Sequence, residues 1–125
     1  MSGLLLDSNV LLWWLEENPR LTADVLSQLT HEPLLMVSIV SPWELWIKSA
    51  AGRLTIPADL EHQLSTNSIA ALPITVGDAR LAAHLPPLHR DPFDRIIIAQ
   101  ALNRGATVVT SDRVFRDYGV SVLGV

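Results

Sequence analysis

Short, wholly apolar runs that alternate with helix-length segments are the feature that most constrains the fold of this chain. A strand buried on both faces reads as a continuous apolar run, whereas a half-exposed strand alternates apolar and polar residues. Because parallel strands need long crossover connections, runs spaced in this way indicate a parallel sheet covered by helices on both faces. The predicted strands are GLLLD (3–7), LLMVS (34–38), IAALPI (69–74), ATVVTSD (106–112) and VSVLGV (120–125).

The segments between these runs carry signals for the start and the end of helices. Thr22 and Ser41 are suited to N-cap positions, Pro42 to a first helical position, and Gly52 and Gly105 to helix ends. The predicted helices span 8–19, 21–31, 41–54, 57–66, 75–85, 92–105 and 113–117. We therefore predict an α/β fold, a three-layer α/β/α sandwich with a mainly parallel central sheet, as one domain over 1–125.

Composition limits the classes of function that are open to the chain. No apolar run approaches the roughly 18 residues of a membrane span, and the N-terminal MSGLLLD lacks the basic region of a signal peptide. The absence of cysteine excludes thiolate metal sites and fits a cytoplasmic protein without a membrane partner. A net charge of −4 gives no overall basic surface for nucleic acid, so such an activity would need local basic residues or a bound cation.

Two of the predicted strands end in aspartate, at Asp7 and Asp112. Ligands of parallel α/β sheets bind outside the carboxyl ends of the strands, near the switch in strand order, and both residues are candidates for such a site. Each aspartate can also cap the helix that follows it, with Ser8 as a competing cap beside Asp7. Both interpretations stay open at this point.

Glu44 has two possible roles on the predicted helix 41–54. It can pair with Lys48 at i,i+4 on the helix surface, or it can reach from the helix N-terminus into a cleft. A helical wheel places Glu44 at the rim of an apolar arc that we expect to be buried. The arc consists of Trp43, Trp46, Ile47, Ala50 and Ala51.

The segment HRDPFDR contains two further carboxylates at the start of a long apolar helix. Asp91 precedes Pro92 and is predicted to be the N-cap. Asp94 lies on the same side as Ile97 and Ile98, so it is predicted to face the sheet. A carboxylate on an inner helix face needs a cation.

Asp7, Glu44, Asp94 and Asp112 would repel one another if they met in one cleft without a counter-ion. A hard divalent ion such as Mg²⁺ removes that repulsion, because it takes oxygen ligands and is commonly held by carboxylates together with substrate phosphate. Such a site supports hydrolysis of phosphodiesters. The basic residues within four positions of these acids, which are candidates for holding a phosphate backbone, are Lys48, Arg90, Arg95, Arg113 and Arg116.

The blocks LLLDSNVLLWWL, SPWELWIKSAAGRL, LPIT, LPPLHRDPFDRIIIAQA and VVTSDRVFRDYGV together resemble PIN-domain proteins, and more narrowly the VapC-type ribonuclease toxins of bacterial type II toxin–antitoxin pairs. The resemblance covers nearly the whole chain. It implies an endoribonuclease dependent on Mg²⁺ or Mn²⁺, with a homodimer and a small antitoxin as partners. The metal-binding acids of that pattern match Asp7, Glu44, Asp94 and Asp112, with Asp91, Ser8 and Asn9 in supporting or capping roles. Ser8 stands where these proteins more often have threonine.

Three other enzyme or cofactor-binding classes lack their required residues in this chain. A receiver domain needs an acidic pair and a late lysine, a haloacid-dehalogenase-like phosphatase needs an acid where Asn9 stands, and a dinucleotide site needs a glycine-rich first turn. A non-catalytic PIN-like module that binds RNA or protein stays open.

Aromatic and histidine positions add two smaller expectations. The four tryptophans, Trp13, Trp14, Trp43 and Trp46, are predicted to be core residues. Because neighbouring Trp13 and Trp14 cannot face the same way on a helix, one of them is available for an apolar partner surface. The four histidines show no ligand spacing, and His89, beside the acidic block, is the one to examine.

Overall fold

A five-stranded sheet, parallel throughout, forms the centre of the computed structural model, which describes residues 3–125. Residues 1 and 2, which belong to the predicted domain and to the N-terminal segment considered above, lie outside the described residues. The strand order is β3-β2-β1-β4-β5. The strands are β1 (Leu4–Leu6), β2 (Leu35–Ser38), β3 (Ile69–Leu72), β4 (Thr107–Thr110) and β5 (Ser121–Gly124).

Helices cover both faces of this sheet, as predicted. They are α1 (Ser8–Leu15), α2 (Ala23–Thr30), α3 (Val40–Ala50), α4 (Leu60–Thr66), α5 (Val76–His84), α6 (Pro92–Arg104) and a 3₁₀ helix (Arg113–Tyr118). Leu4 and Leu6 of β1 pack into a core shared with α1, α2 and α4. Leu5 packs into a second core on the opposite face with α6 and the 3₁₀ helix. Successive strand residues point to opposite faces, so two cores require a three-layer arrangement, and the predicted fold class is confirmed.

The N-terminal end of α3 differs from the prediction. Its first residue is Val40, and the main-chain N–H of Val40 donates to the hydroxyl of Ser38. Ile39 occupies the N-cap position and makes no side-chain capping bond, so the prediction that Ser41 is the cap was wrong. The buried Ser41 hydroxyl instead accepts a hydrogen bond of 3.0 Å from the hydroxyl of Ser8 on α1.

The apolar arc of α3 faces solvent, and the prediction that it is buried was wrong. Trp43 is 56% exposed, Trp46 43% and Ile47 46%, so these two tryptophans are not core residues. The opposite side of the helix, which contains Glu44 and Leu45, is the buried one. Helical periodicity identifies an apolar face but does not say which face meets the sheet.

The other pair of tryptophans lies at the end of α1. Trp13 is buried in the core and Trp14 is half-buried. Helix α1 itself ends at Leu15, three residues short of Asn18, the predicted end before Pro19, and Glu17 beyond it adopts a left-handed backbone conformation with φ of 53°. Among residues 3–125, no helix combines the length and the apolar character that a membrane crossing requires.

An ion pair that joins α5 to α6 was missed at the sequence level. The buried carboxylate of Asp78 forms a capping box with Thr75 and lies 3.0 Å from the guanidinium of Arg104. Burial raises the pKa of Asp78, but hydrogen bonds from Arg104, Thr75 and Asn103 outweigh that effect and hold the pKa well below its usual value. This contact fixes the crossover that carries the chain toward α6.

Candidate active site

The candidate site lies where the strand order reverses. From β1 the chain moves to β2 and β3 on one side of the sheet, and it then crosses to β4 and β5 on the other side. Because β1 and β4 are adjacent and pair Leu6 with Val109, the carboxylates that follow these two strands meet at one edge. Asp7 follows β1 directly, and Asp112 comes two residues after β4.

Asp7 is a buried carboxylate held at both of its oxygens. Oδ1 accepts the main-chain N–H of Val10 at 2.8 Å, which makes Asp7 the N-cap of α1. Oδ2 accepts the hydroxyl of Thr110 on β4. Burial raises the pKa of Asp7, with the charges of Asp112 and Glu44 adding to the effect and the two hydrogen bonds opposing it. The predicted capping role is confirmed, and it coexists with a position inside the site.

Glu44 combines both of its predicted roles. Oε2 lies 3.0 Å from Nζ of Lys48, which is the i,i+4 pair. The residue is only 8% exposed and lines the same cavity as Asp7, because α3 packs with this side toward α1. Oε1 is buried without a hydrogen-bond partner among the described residues. A buried carboxylate oxygen left unpaired is costly unless a ligand satisfies it.

The start of α6 supplies Asp91 and Asp94. Asp91 is the N-cap, since its Oδ1 accepts the N–H of Phe93 at 2.9 Å. Asp94 is mostly buried, and its Oδ2 lies 2.9 Å from Nε2 of His89. Burial, then the charge of Asp91, raise the pKa of Asp94 to about 7, and the neighbouring His89 lowers it only in part. Asp94 is thus a carboxylate whose charge the protein alone does not fully stabilise.

Asp112 caps the 3₁₀ helix and also reaches into the site. Oδ1 accepts the N–H of Val114 at 2.9 Å, and Oδ2 lies 3.0 Å from Nε2 of His89. The main-chain N–H of Asp112 donates to the hydroxyl of Thr110, which in turn donates to Asp7. Thr110 therefore links the carboxylate that follows β1 to the main chain of Asp112 after β4.

The four predicted acids and Asp91 come together around one cavity of about 130 Å³. Ser8 and Asn9 also line it, and Asn9 is exposed whereas Ser8 is buried. The donor atoms are oxygens, which suits a hard cation such as Mg²⁺ or Mn²⁺. The unpartnered Oε1 of Glu44 and the raised pKa of Asp94 are the features a cation would relieve. The lining residues are Asp7, Ser8, Asn9, Glu44, Lys48, Asp91, Asp94 and Asp112.

The basic residues near these acids fall into two groups. Lys48 lies in the wall of the cavity, Arg90 is exposed beside Asp91, and Arg113 and Arg116 line a neighbouring groove of about 400 Å³ that shares Asp112 with the site. Arg95 behaves differently. Its guanidinium donates to main-chain carbonyls, so the prediction that it holds phosphate was wrong, and it braces the loop before α6 instead. The acceptors are the carbonyls of Ala82, Leu85, Pro86 and His89.

Three residues that contribute to the site, His89, Thr110 and Ser41, could not be predicted in full from the sequence. The sequence indicates His89 only by its position beside the acidic block. Its bonds to Asp94 and Asp112 depend on how α6 and the turn after β4 meet, which no local pattern encodes. Thr110 reads simply as a strand residue, and Ser41 as a cap, because their partners Asp7 and Ser8 are distant in sequence. The roles of these residues become visible only from contacts in the folded structure.

Comparison with known proteins agrees with this architecture. The PIN domain family matches residues 4–120. Ribonuclease VapC22 of Mycobacterium tuberculosis is 34% identical over 121 residues, which cover 94% of this chain and 93% of that protein.

Solved structures show the same fold. The crystal structure of DNA-bound VapBC from Salmonella typhimurium superposes with a TM-score of 0.74 at 19% identity, covering 99% of this chain and 98% of that one. VapBC2 from Rickettsia felis, bound to a DNA fragment from their promoter, gives a TM-score of 0.70 at 15% identity with 97% of both chains covered. From its matched length, its identity to VapC22 and its parallel sheet, the chain belongs to the PIN-domain family and is a homologue of the VapC ribonucleases.

Proposed function

We propose that this protein is an endoribonuclease dependent on Mg²⁺ or Mn²⁺ and that it acts in the cytoplasm as the toxin of a toxin–antitoxin pair. The observation that carries the proposal is the convergence of four carboxylates from separate elements on one small cavity, with a buried Glu44 oxygen left unpartnered. Kinship with a protein named a ribonuclease supports RNA as the substrate. The structural relatives include members of toxin–antitoxin systems, which supports a cognate antitoxin as the partner.

Asp7, Glu44, Asp94 and Asp112 would hold the metal in this proposal. A divalent ion bound there would lower the pKa of a water molecule and stabilise negative charge on the scissile phosphate. The protein's own contribution is to fix the carboxylates before substrate arrives. Asp7 is fixed by Val10 and Thr110, Asp112 by Val114 and His89, and Glu44 by Lys48. Hydrolysis would join the water oxygen to phosphorus while the bond from phosphorus to one ester oxygen breaks, and the proton lost by the water would end on the departing oxygen.

The first test is cleavage of a mixed pool of structured RNA by wild type and by Asp94→Asn. Asparagine keeps the shape of the side chain but removes a charged ligand, so we expect cleavage to fall about 100-fold or more, since a metal's charge stabilisation is worth several kcal/mol. Wild type should cut with Mg²⁺ or Mn²⁺ and not with chelator.

Asp117→Asn is the matched control, because Asp117 is an exposed aspartate outside the cavity. It should cut like wild type. Full activity of Asp94→Asn would contradict the assignment of the site. Absence of cutting by a folded, antitoxin-free wild type would favour the alternative of a non-catalytic module that binds RNA or protein.

A second prediction concerns stability without metal. Because the pKa of Asp94 is raised to about 7 in the folded protein, its contribution to stability is fully present below about pH 4 and is lost as pH rises through about 7. We therefore expect Asp94→Asn to be more stable than wild type at pH 8 in chelator, by on the order of 4 kcal/mol, and the difference to vanish near pH 4. Thermal unfolding across this pH range measures it, and equal pH profiles for the two proteins would contradict it.

Arg113 and Arg116 are the residues we propose for holding the RNA backbone beside the site. Their groove adjoins the cavity at Asp112, and Thr110 and Ser111 add hydroxyl groups to its wall. A phosphate contact contributes about 0.7 to the slope of log affinity against log salt for a single strand.

Each of Arg113→Ala and Arg116→Ala should therefore lower that slope by about 0.7 when added to Asp94→Asn. Fluorescence anisotropy of a labelled single-stranded RNA in different salt concentrations gives the slope. Arg80→Ala, which removes an exposed arginine of α5 outside the groove, should leave the slope unchanged. A slope unaffected by both Arg113→Ala and Arg116→Ala would exclude this groove as the path of the RNA strand.

We propose the exposed stripe of α3, formed by Ile39, Trp43, Trp46 and Ile47, as the surface through which the protein forms a homodimer. Contiguous apolar residues exposed on one helix face commonly mark such interfaces. Trp46→Arg should give a monomer in light scattering at tens of micromolar, where wild type should be a dimer. Leu102→Arg, at an exposed leucine of α6, is the control and should stay dimeric. A monomeric wild type would refute the proposal.

A further inference from the structure

His89 lies against the candidate site but is not among the residues that line its cavity. Its Nε2 is 2.9 Å from Oδ2 of Asp94 and 3.0 Å from Oδ2 of Asp112. These two carboxylates come from different elements, the start of α6 and the turn after β4. One imidazole nitrogen therefore contacts two of the acids of the candidate site.

The other ring nitrogen fixes which of the two carries the proton. Nδ1 accepts the main-chain N–H of Asp91 at 3.3 Å, so in the neutral ring the hydrogen is on Nε2. Nε2 is then a hydrogen-bond donor to Asp94 and Asp112. A nitrogen that carries a proton cannot also offer its lone pair to a metal ion.

The main chain around His89 is held as firmly as the ring. The N–H of His89 donates to the hydroxyl of Tyr118 at 2.7 Å, and that hydroxyl donates to the carbonyl of Pro86. The carbonyl of His89 accepts from Arg95, and the ring meets Phe115 edge-on with centroids 6.0 Å apart. Contacts with Tyr118, Arg95 and Phe115 thus hold His89 in place without a ligand.

We propose, building on the function proposed above, that His89 is a positioning residue that orients Asp94 and Asp112 for a divalent cation through its Nε2–H. Donation to Oδ2 of each acid fixes the distance between two ligands that come from different elements, and it leaves Oδ1 of Asp94 for the cation. Residues that orient metal ligands in this way commonly affect metal affinity by about 10- to 100-fold.

A direct role as a ligand is the competing interpretation. Nε2 and the two carboxylate oxygens lie within 4.8 Å of one another, a spacing that an ion could bridge if the ring changed tautomer. The two roles differ in metal preference, since an imidazole ligand favours Mn²⁺ over Mg²⁺ whereas a hydrogen-bond donor acts on both metals alike.

The test is the affinity of the RNA-free protein for Mg²⁺ and for Mn²⁺, measured by calorimetry and by thermal shift. His89→Ala should lower the affinity for Mg²⁺ and the affinity for Mn²⁺ by the same factor, about 10- to 100-fold. His89→Gln, whose amide can still donate, should recover part of the loss. His84→Ala, at an exposed histidine of α5, is the matched control and should bind like wild type.

Circular dichroism in chelator verifies that the variants are folded, and Tyr118→Phe offers a milder perturbation that keeps the imidazole and removes the hydroxyl contacts of its main chain. Tyr118→Phe should lower the affinity for both metals by a smaller factor than His89→Ala does. A loss confined to Mn²⁺ would overturn the proposal and make His89 a ligand. Unchanged affinity of His89→Ala would overturn it while leaving the nuclease proposal intact, and a wild type that binds neither metal would overturn both.

Discussion

Mutual repulsion among the carboxylates at the switch between β1 and β4 is the constraint on which the rest of the site depends. Bringing several negative charges into a space of about 130 Å³ opposes folding unless the protein offsets it. The offsets here are specific: helix N-termini at Asp7 and Asp112, the ammonium of Lys48, and the imidazole of His89. They are incomplete, since burial and the charge of Asp91 still hold the pKa of Asp94 at about 7. The ionised carboxylate of Asp94 therefore destabilises the folded protein, and a bound cation would offset that cost.

Capping a helix and lining the candidate site are not alternatives in this protein. Asp7, Asp91 and Asp112 each accept a main-chain N–H from the helix that follows, and each still lines the cavity. One oxygen of each carboxylate satisfies the cap, and in Asp7 and Asp112 the second oxygen bonds to another site residue, Thr110 and His89 respectively. A helix start directly after a parallel strand therefore places an acid, already oriented, at the edge where such sheets bind ligands.

Much of the fold and of the acid cluster could be predicted from sequence because both rest on local signals. Continuous apolar runs gave the parallel sheet, and Asp7 and Asp112 are placed by the strands they follow. The errors share one physical origin, which is contact across the fold. Whether Trp43 faces core or solvent depends on which side of α3 meets the sheet, and whether Ser41 caps α3 or bonds to Ser8 depends on how α1 approaches it.

Basic residues beside the acids show the same limit in the chemistry. Arg95 and Arg113 look alike in sequence, each adjacent to an aspartate of the site. In the structure Arg95 uses its guanidinium on the carbonyls that close the loop before α6, and one of those is the carbonyl of His89. Its effect on the site is thus indirect, through the main chain that carries the imidazole between Asp94 and Asp112. A basic residue beside an acid of the candidate site can bind substrate or can stabilise the fold. Only the contacts of its charged group in the structure distinguish these two roles.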